Sequence, residues 1–373
     1  MVRLSRSIVG EREAAAVSRV LIEDGYLGMG KEVQAFESDI ATYLGVKPAN
    51  VACVNSGTAA VHLAVQAVLH PGEKILVQSL TFVATYQAIA AAGAVPVACE
   101  IRPETACMDL LDAERRMTTD CKAIMPVHYA SNPAYIDEIY AFAKANGLRV
   151  VEDAAHAFGC THNGRKIGSF GDVACFSFDG IKNITCGEGG CVVSKDEDVM
   201  RLVKDARLLG VENDTEKRYS GKRSWDFDVS RAGYRFHMSN INAAIGRVQL
   251  SRLDSEFAPK RVGLARLYRR ELASVNGLCL LETDLGPVVP HLQPIRVLGG
   301  RRDDLRAHLE DKGIQTGIHY KPNHLLSYFG GGSRSMPVTE KVFGELLSLP
   351  LHPGLSEDDV VGICREITSF LKS

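Results

Sequence analysis

Short apolar runs alternate with longer stretches of helical period along much of the chain. Residues 51–54, 73–78 (EKILVQ), 94–99 (AVPVAC), 122–127 (KAIMPV), 148–151 (LRVV) and 173–178 are too short for buried helices and are rich in Val and Ile, so they read as strands. Between them, 59–68, 82–92, 109–118 and 134–146 carry apolar residues at helical spacing, as does 196–209 after the last run. Nearer the start, 11–23 reads as a helix that breaks at Asp24-Gly25-Tyr26-Leu27-Gly28, and 32–44 repeats the pattern. Strands that alternate with helices predict a mostly parallel sheet with helices on both faces, with any ligand at the carboxyl ends of the strands.

The pattern changes late in the chain. A polar stretch, 211–231, holds the single tryptophan, Trp225, and loops of that length in a compact protein are functional or mobile. A long helix, 240–253, follows. From about 258 a basic amphipathic helix (260–272), short apolar runs (288–297) and another helix (302–312) predict a smaller α/β lobe. The expected division is a large domain over 1–255 and a small C-terminal domain over 256–373. No Gly/Ser linker and no repeat separates them, so the lobes are expected to pack closely.

Composition narrows the class. A chain of 373 residues that is 46% hydrophobic and 24% charged can bury a large core. Its net charge of −2 supplies no basic field for nucleic acid or an anionic membrane, and neither partner is expected. The first residues, MVRLSRSIVGEREAA, lack a secretory apolar core, and no stretch approaches the roughly 20 apolar residues of a spanning helix. The expected address is therefore the cytoplasm. The ten cysteines form no CxxC pair and several lie in apolar runs, which reads as reduced core thiols, and no His/Cys spacing suggests a metal.

The chemistry gathers between 149 and 193. The apolar run at 148–151 ends in Glu152-Asp153, and the next run delivers Ser177, then Lys182, then the glycine loop Gly187-Glu188-Gly189-Gly190. A lysine amine can hold an aldehyde covalently, and a carboxylate can keep a pyridine nitrogen protonated so that the ring draws in electrons. Upstream, Ser56-Gly57-Thr58 turns a strand into a helix, where free N–H groups and the helix dipole suit a phosphate; the same residues also make an ordinary cap. Lysine, acid and phosphate site together point to pyridoxal phosphate.

These residues carry a resemblance. EDAAHAFG at 152–159 and SFDGIKNITCGEGG at 177–190 follow the patterns EDAAxAxG and SFxxxKNxTxGEGG, and the chain resembles the sugar aminotransferase family often called DegT/DnrJ/StrS. The resemblance extends over almost the whole chain, including LSLPLHP at 347–353. It implies a fold-type-I pyridoxal phosphate enzyme that moves an amino group, with L-glutamate as donor, onto a nucleotide-linked keto sugar. Lys182 and Asp153 would be catalytic, while Ser56, Gly57, Thr58 and Ser177 would hold the phosphate. Phe82 would stack on the pyridine ring and His156 would lie near its phenolic oxygen; three positions beyond Asp153, His156 is also its neighbour if a helical turn forms there.

The remaining implications concern the pocket's rim and the oligomer. His128, the last residue of a PVH resembling the family's, would line the pocket; His319, Tyr320 and His324 match the segment at the active-site mouth, and the 24–28 turn matches one near the substrate entrance. Relatives read GYNYRM where this chain has GYRFHM (233–238), and their Asn and Arg reach the neighbouring subunit's phosphate. Arg235 and His237 stand in those positions, which implies a homodimer with Arg235 contributed across it. Two alternatives stay open: a sugar dehydratase of the same family, whose relatives carry histidine in place of the lysine, and a non-enzymatic regulator on the same fold.

Overall fold

The protein was analysed as a computed structural model that describes residues 1–372 except 134, 213, 223, 224 and 333. Its large sheet contains β1 (Val51–Val54), β2 (Lys74–Gln78), β3 (Val95–Cys99), β4 (Cys121–Met125), β5 (Arg149–Asp153), β8 (Val173–Ser177) and β9 (Gly190–Ser194). The spatial order is β1-β9-β8-β5-β4-β2-β3. A two-residue hairpin, β6 (Thr161–His162) with β7 (Arg165–Lys166), stands apart from it. Pairing is parallel throughout except at β9, which runs antiparallel to both β1 and β8.

Six strands therefore end on the same edge. Most of their residues are buried on both faces, which is why the apolar runs are continuous and do not alternate. One layer of helices packs on each face: Phe36, Ile40, Phe158 and Phe176 mark one core, and Ala60, Leu63, Val77 and Ile89 the other. Strand β9 was not foreseen. It returns from the Lys182 loop and closes the gap between β8 and β1, so the loop is anchored at both ends by strands.

The helices follow the expected pattern with trimmed ends. Those expected at 82–92, 109–118, 196–209 and 302–312 run Val83–Ala91, Leu110–Arg116, Glu197–Ala206 and Arg302–Asp311. The shortening is a matter of capping: Asp109 and Asp196 accept from backbone N–H groups of the first turn and stand outside their helices. The helix expected at 134–146 runs Ile136–Asn146, with 134 outside the described residues. Within 211–231 the structure shows a short helix, Asp214–Tyr219, while 213, 223 and 224 lie outside the described residues.

A second, antiparallel sheet joins β10 (Leu278–Leu280), β11 (Gln293–Val297) and β12 (Leu346–Leu349). Helices Ala258–Leu272 and Glu357–Lys372 pack with it around Tyr268, Ile295, Leu347 and Ile367. All ten cysteines are free and nine are buried. Among the described residues no helix is long and apolar enough to cross a membrane.

Candidate active site

A cavity of about 410 Å³ opens at the carboxyl edge of the large sheet, between that edge and the segment around His319-Tyr320. Each wall is the continuation of a strand. The turn after β1 brings Ser56, Gly57 and Thr58; the segment after β2 brings Thr81, Phe82 and Thr85; β5 ends in Asp153, followed by His156; β8 ends in Ser177, followed by Lys182. The sheet thus does the gathering that sequence distance hides.

The turn after β1 is built for close approach. Ser56 Oγ accepts from Ala59 N at 3.1 Å, which caps the helix Gly57–Val68 and leaves the first N–H groups, those of Gly57 and Thr58, outside the helical hydrogen-bond pattern. Gly57 lies against Ser177: a Cβ there would come within 2.6 Å of Ser177 Cβ. On the other side, a Cβ at Gly190 would come within 2.6 Å of Ser56 O. Only glycines let the helix N-terminus, β8 and β9 meet, and the Ser177 hydroxyl stands beside the free N–H groups.

Asp153 is buried, with one carboxylate oxygen accepting from Thr85 Oγ1 at 2.7 Å and the other from Ala155 N at 3.2 Å. Both bonds are from neutral donors, and Asp153 makes no ion pair among the described residues. Lys182 sits in the loop between β8 and β9, held by Lys182 N donating to Asp179 O at 3.1 Å and by the Asn183 amide donating to Phe158 O and Val289 O, both at 3.0 Å. Its amine makes no hydrogen bond or ion pair with the described residues. Burial lowers its pKa to about 8, against the upward pull of Asp153 and Asp179. The residue is only partly covered, and it lines the cavity.

His156 is buried beneath the cavity, with Nε2 3.2 Å from Tyr320 Oη. Burial first, then the charge of Lys182, drives its pKa well below the ordinary value, so the ring is neutral. No helix forms after Asp153; residues 154–160 fold as successive turns, with Ala157 N donating to Ala154 O and Cys160 N to Ala157 O. Phe82 is 53% exposed, a large apolar ring standing in the cavity 5.3 Å from Tyr320. His319 also lines the cavity; Nδ1 is 2.9 Å from Ser348 Oγ, and burial lowers its pKa to about 4.

Two expected pocket residues do not reach the cavity. His128 is buried behind it, Nε2 2.7 Å from Glu152 Oε2, because β4 and β5 turn that pair inward and the carboxylate captures the ring. His324 is a buried strut between Ser79 Oγ (2.7 Å) and Glu340 Oε1 (3.2 Å), and Asn323 beside it donates to Ser79 O and Thr81 O. Together they pin the 320–326 segment to the loop that carries Phe82. Nor does the 24–28 turn line the cavity; it packs on the helix Asn240–Arg252, where Asn240 donates to Tyr26 O.

Arg235 also stands away from this cavity. Its segment lies along β1, with Asn55 N donating to Phe236 O at 2.7 Å. Tyr234 and Phe236 stack 4.8 Å apart on His62, and Arg235 between them is exposed, with no ion pair among the described residues. His237 is half-buried, its pKa lowered to about 4 by burial and then by Arg235. Sequence reasoning missed Thr85, Asp179 and His291. Thr85 is an unremarkable position in a helix, and His291 sits in a short apolar run; neither carries a local signal.

The set fits pyridoxal phosphate on the structure's own terms. A cavity-lining lysine amine with no partner among the described residues suits an aldehyde, the Gly57 cradle with its free N–H groups suits a phosphate, and the buried Asp153 suits a protonated ring nitrogen.

Similarity to known proteins agrees. The chain is 33% identical over 371 residues to a dTDP-4-dehydro-2,3,6-trideoxy-D-glucose 4-aminotransferase of Saccharopolyspora spinosa, covering 98% of this chain and 96% of that one. The solved structure of the aminotransferase TlmJ from Streptoalloteichus hindustanus superposes with a TM-score of 0.92 at 31% identity, over 100% of this chain and 99% of that one. The putative sugar aminotransferase Spr1654 from Streptococcus pneumoniae, solved in its PLP form, gives 0.89 at 27% identity, over 100% and 98%. The sequence pattern of one family matches residues 7–368, and the chain belongs to the DegT/DnrJ/EryC1/StrS aminotransferase family.

Proposed function

We propose that the chain is a pyridoxal phosphate-dependent aminotransferase that moves an amino group from L-glutamate to a nucleotide-linked keto sugar. The observation that carries the reading is the convergence of a lysine side chain, a buried aspartate and a capped helix N-terminus on one cavity, in a member of an aminotransferase family. The keto-sugar substrate rests on the family and on the activity named for the Saccharopolyspora relative.

When bound, the cofactor supplies an aromatic ring that stabilises negative charge at the substrate carbon. Lys182 would hold the cofactor's aldehyde, and its amine would serve as the base at the donor's α-carbon. An amine whose pKa is about 8 is well matched to that work, since it both accepts and returns a proton near neutral pH. Asp153 holds a proton on the ring nitrogen. Ser56, Gly57, Thr58 and Ser177 bind the phosphate, and Phe82 and His156 orient the ring. His319 and Tyr320 face the substrate at the mouth, whereas His128 and His324 act at one remove, as supports.

The working unit is a homodimer in which Arg235 reaches the neighbouring subunit's phosphate. Support comes from its position: the alternation along 234–236 turns Tyr234 and Phe236 onto His62 and leaves Arg235 exposed, with no ion pair among the described residues. Arginine suits that role through its fork of donors.

The test is a panel of 3-keto and 4-keto nucleotide sugars offered with glutamate and read by mass. Amination of one of them by the wild type, abolished by Lys182→Ala, is the expected result. Failure of every keto sugar while glutamate still converts the bound cofactor would overturn the substrate class and leave the aminotransferase standing.

A further inference from the structure

One buried charge plays no part in the chemistry above. Arg261, on the helix Ala258–Leu272, is 2% exposed and has no carboxylate within ion-pair distance among the described residues. Burial lowers its pKa to about 10, so it remains a cation at neutral pH. Buried cations are ordinarily paired, because leaving water uncompensated is costly. Here the compensation is four backbone carbonyls. Nη1 donates to Leu351 O at 3.2 Å, Pro290 O at 3.3 Å and His291 O at 3.4 Å, and Nη2 donates to Lys182 O at 3.5 Å.

The carbonyls come from three separate segments, and two of them belong to residues under the cavity. His291 is buried, its ring 4.5 Å from that of His156, which in turn bonds Tyr320. Lys182 approaches from the other side. The space between Arg261 and the Lys182 loop is about 10 Å³, room for no more than one water, and Ser7 donates to Gly180 O across the same region.

We propose that Arg261 is a positioning residue for Lys182: its guanidinium fork ties the Lys182 carbonyl to that of His291, and this keeps the lysine side chain aimed into the cavity. The inference rests on the reading of Lys182 as the cofactor lysine. It works through the placement of the loop, not through direct charge. The groups facing the amine are Asp153 at the end of β5, Asp179 and Glu188 from its own loop, and His156, His291, His319 and Tyr320 from the floor and mouth. Burial is the largest influence on the amine and the carboxylates oppose it, so loosening the loop lets water in and raises the pKa.

The experiment uses the full chain stripped of cofactor. Capture of pyridoxal phosphate is followed against pH, trapped by borohydride, and located by peptide mass. The wild type is expected to label Lys182 with a midpoint near 8. Arg261→Met is expected to raise that midpoint by about one unit, toward the ordinary lysine value. Arg261→Lys keeps the charge and loses the fork; it is expected to shift the same way by less, and serves if the Met variant does not fold. Leu264→Ala, a core truncation on the same helix, should lower the melting temperature and leave the midpoint alone. A folded Arg261 variant that melts earlier with the wild-type midpoint would show a merely structural arginine and overturn the proposal. Absence of label on Lys182 in the wild type would instead overturn the cofactor reading beneath it.

Discussion

Gly57→Ala is the sharpest probe of the phosphate site, because its effect can be worked from the coordinates. The added methyl would lie 2.6 Å from Ser177 Cβ, 3.0 Å from its Oγ and 3.2 Å from its Cα. Neither Cβ nor Cα can swing aside as the tip of a long side chain can, and β8 is fixed between β5 and β9. The helix N-terminus must move instead. Overpacking of this kind costs about 1–3 kcal/mol. Alanine in place of glycine returns up to about 1 kcal/mol of helix propensity, less in a first turn. The net loss is therefore about 1–2 kcal/mol, and it falls on the N–H groups proposed to hold the phosphate. At roughly 1.4 kcal/mol per decade, the affinity for pyridoxal phosphate should fall about tenfold. Cofactor-free protein titrated with pyridoxal phosphate and followed by absorbance reads the affinity, and a melt without cofactor reads the packing. The double variant Gly57→Ala/Ser177→Gly removes the two shortest contacts and leaves only the Cα approach, so the melting temperature should recover in part while the affinity does not, since the hydroxyl is gone. A single Gly57→Ala variant with affinity within twofold of wild type and an unchanged melt would refute the contact argument.

Three further outcomes are expected. Asp153→Asn keeps the shape and removes the charge, and the rate should drop by roughly two to three decades; a variant within twofold of wild type would mean that Asp153 serves only to order the turn through Ala155. Inactive Lys182→Ala mixed with inactive Arg235→Ala under subunit exchange should recover about a quarter of wild-type activity if each site takes Arg235 from its neighbour, since half of randomly paired dimers are mixed and each carries one intact site; full activity of Arg235→Ala alone, or an active monomer in sedimentation, ends that idea. Glu37 is the buried partner of Arg207, at 2.6 Å, and also accepts from Cys53 N, in the strand leading to the phosphate turn. Glu37→Leu leaves the guanidinium uncompensated and should cost about 3–5 kcal/mol in denaturant unfolding, with a loss under 1 kcal/mol excluding the pair as a structural tie.

Much of the site was legible in the sequence. Asp153, Lys182 and the Ser56-Gly57-Thr58 turn each sit where a strand ends, and strand ends can be read from short apolar runs bounded by polar and glycine residues. Those motifs are local: a turn, a cap and a loop carry their chemistry in adjacent residues, so spacing and residue type suffice. The alternation of runs and helices likewise determined the class of sheet and the edge on which a ligand lies.

What the tertiary structure alone decided depends on partners far apart in the chain. His128 and His324 read as pocket residues by position, yet Glu152 and Ser79 capture their rings, because a buried imidazole must find a partner and the nearest one sets its direction. Strand β9 runs antiparallel because the lysine loop doubles back after Ser177, a reversal that an apolar run cannot announce. Arg261 reads as one cation among many on a basic helix, and only packing shows it at the meeting point of Lys182, His291 and Leu351. Sequence determines which groups are present and which segments are stiff; the direction a side chain faces, and the partner that satisfies it, is settled when separate segments are buried against each other.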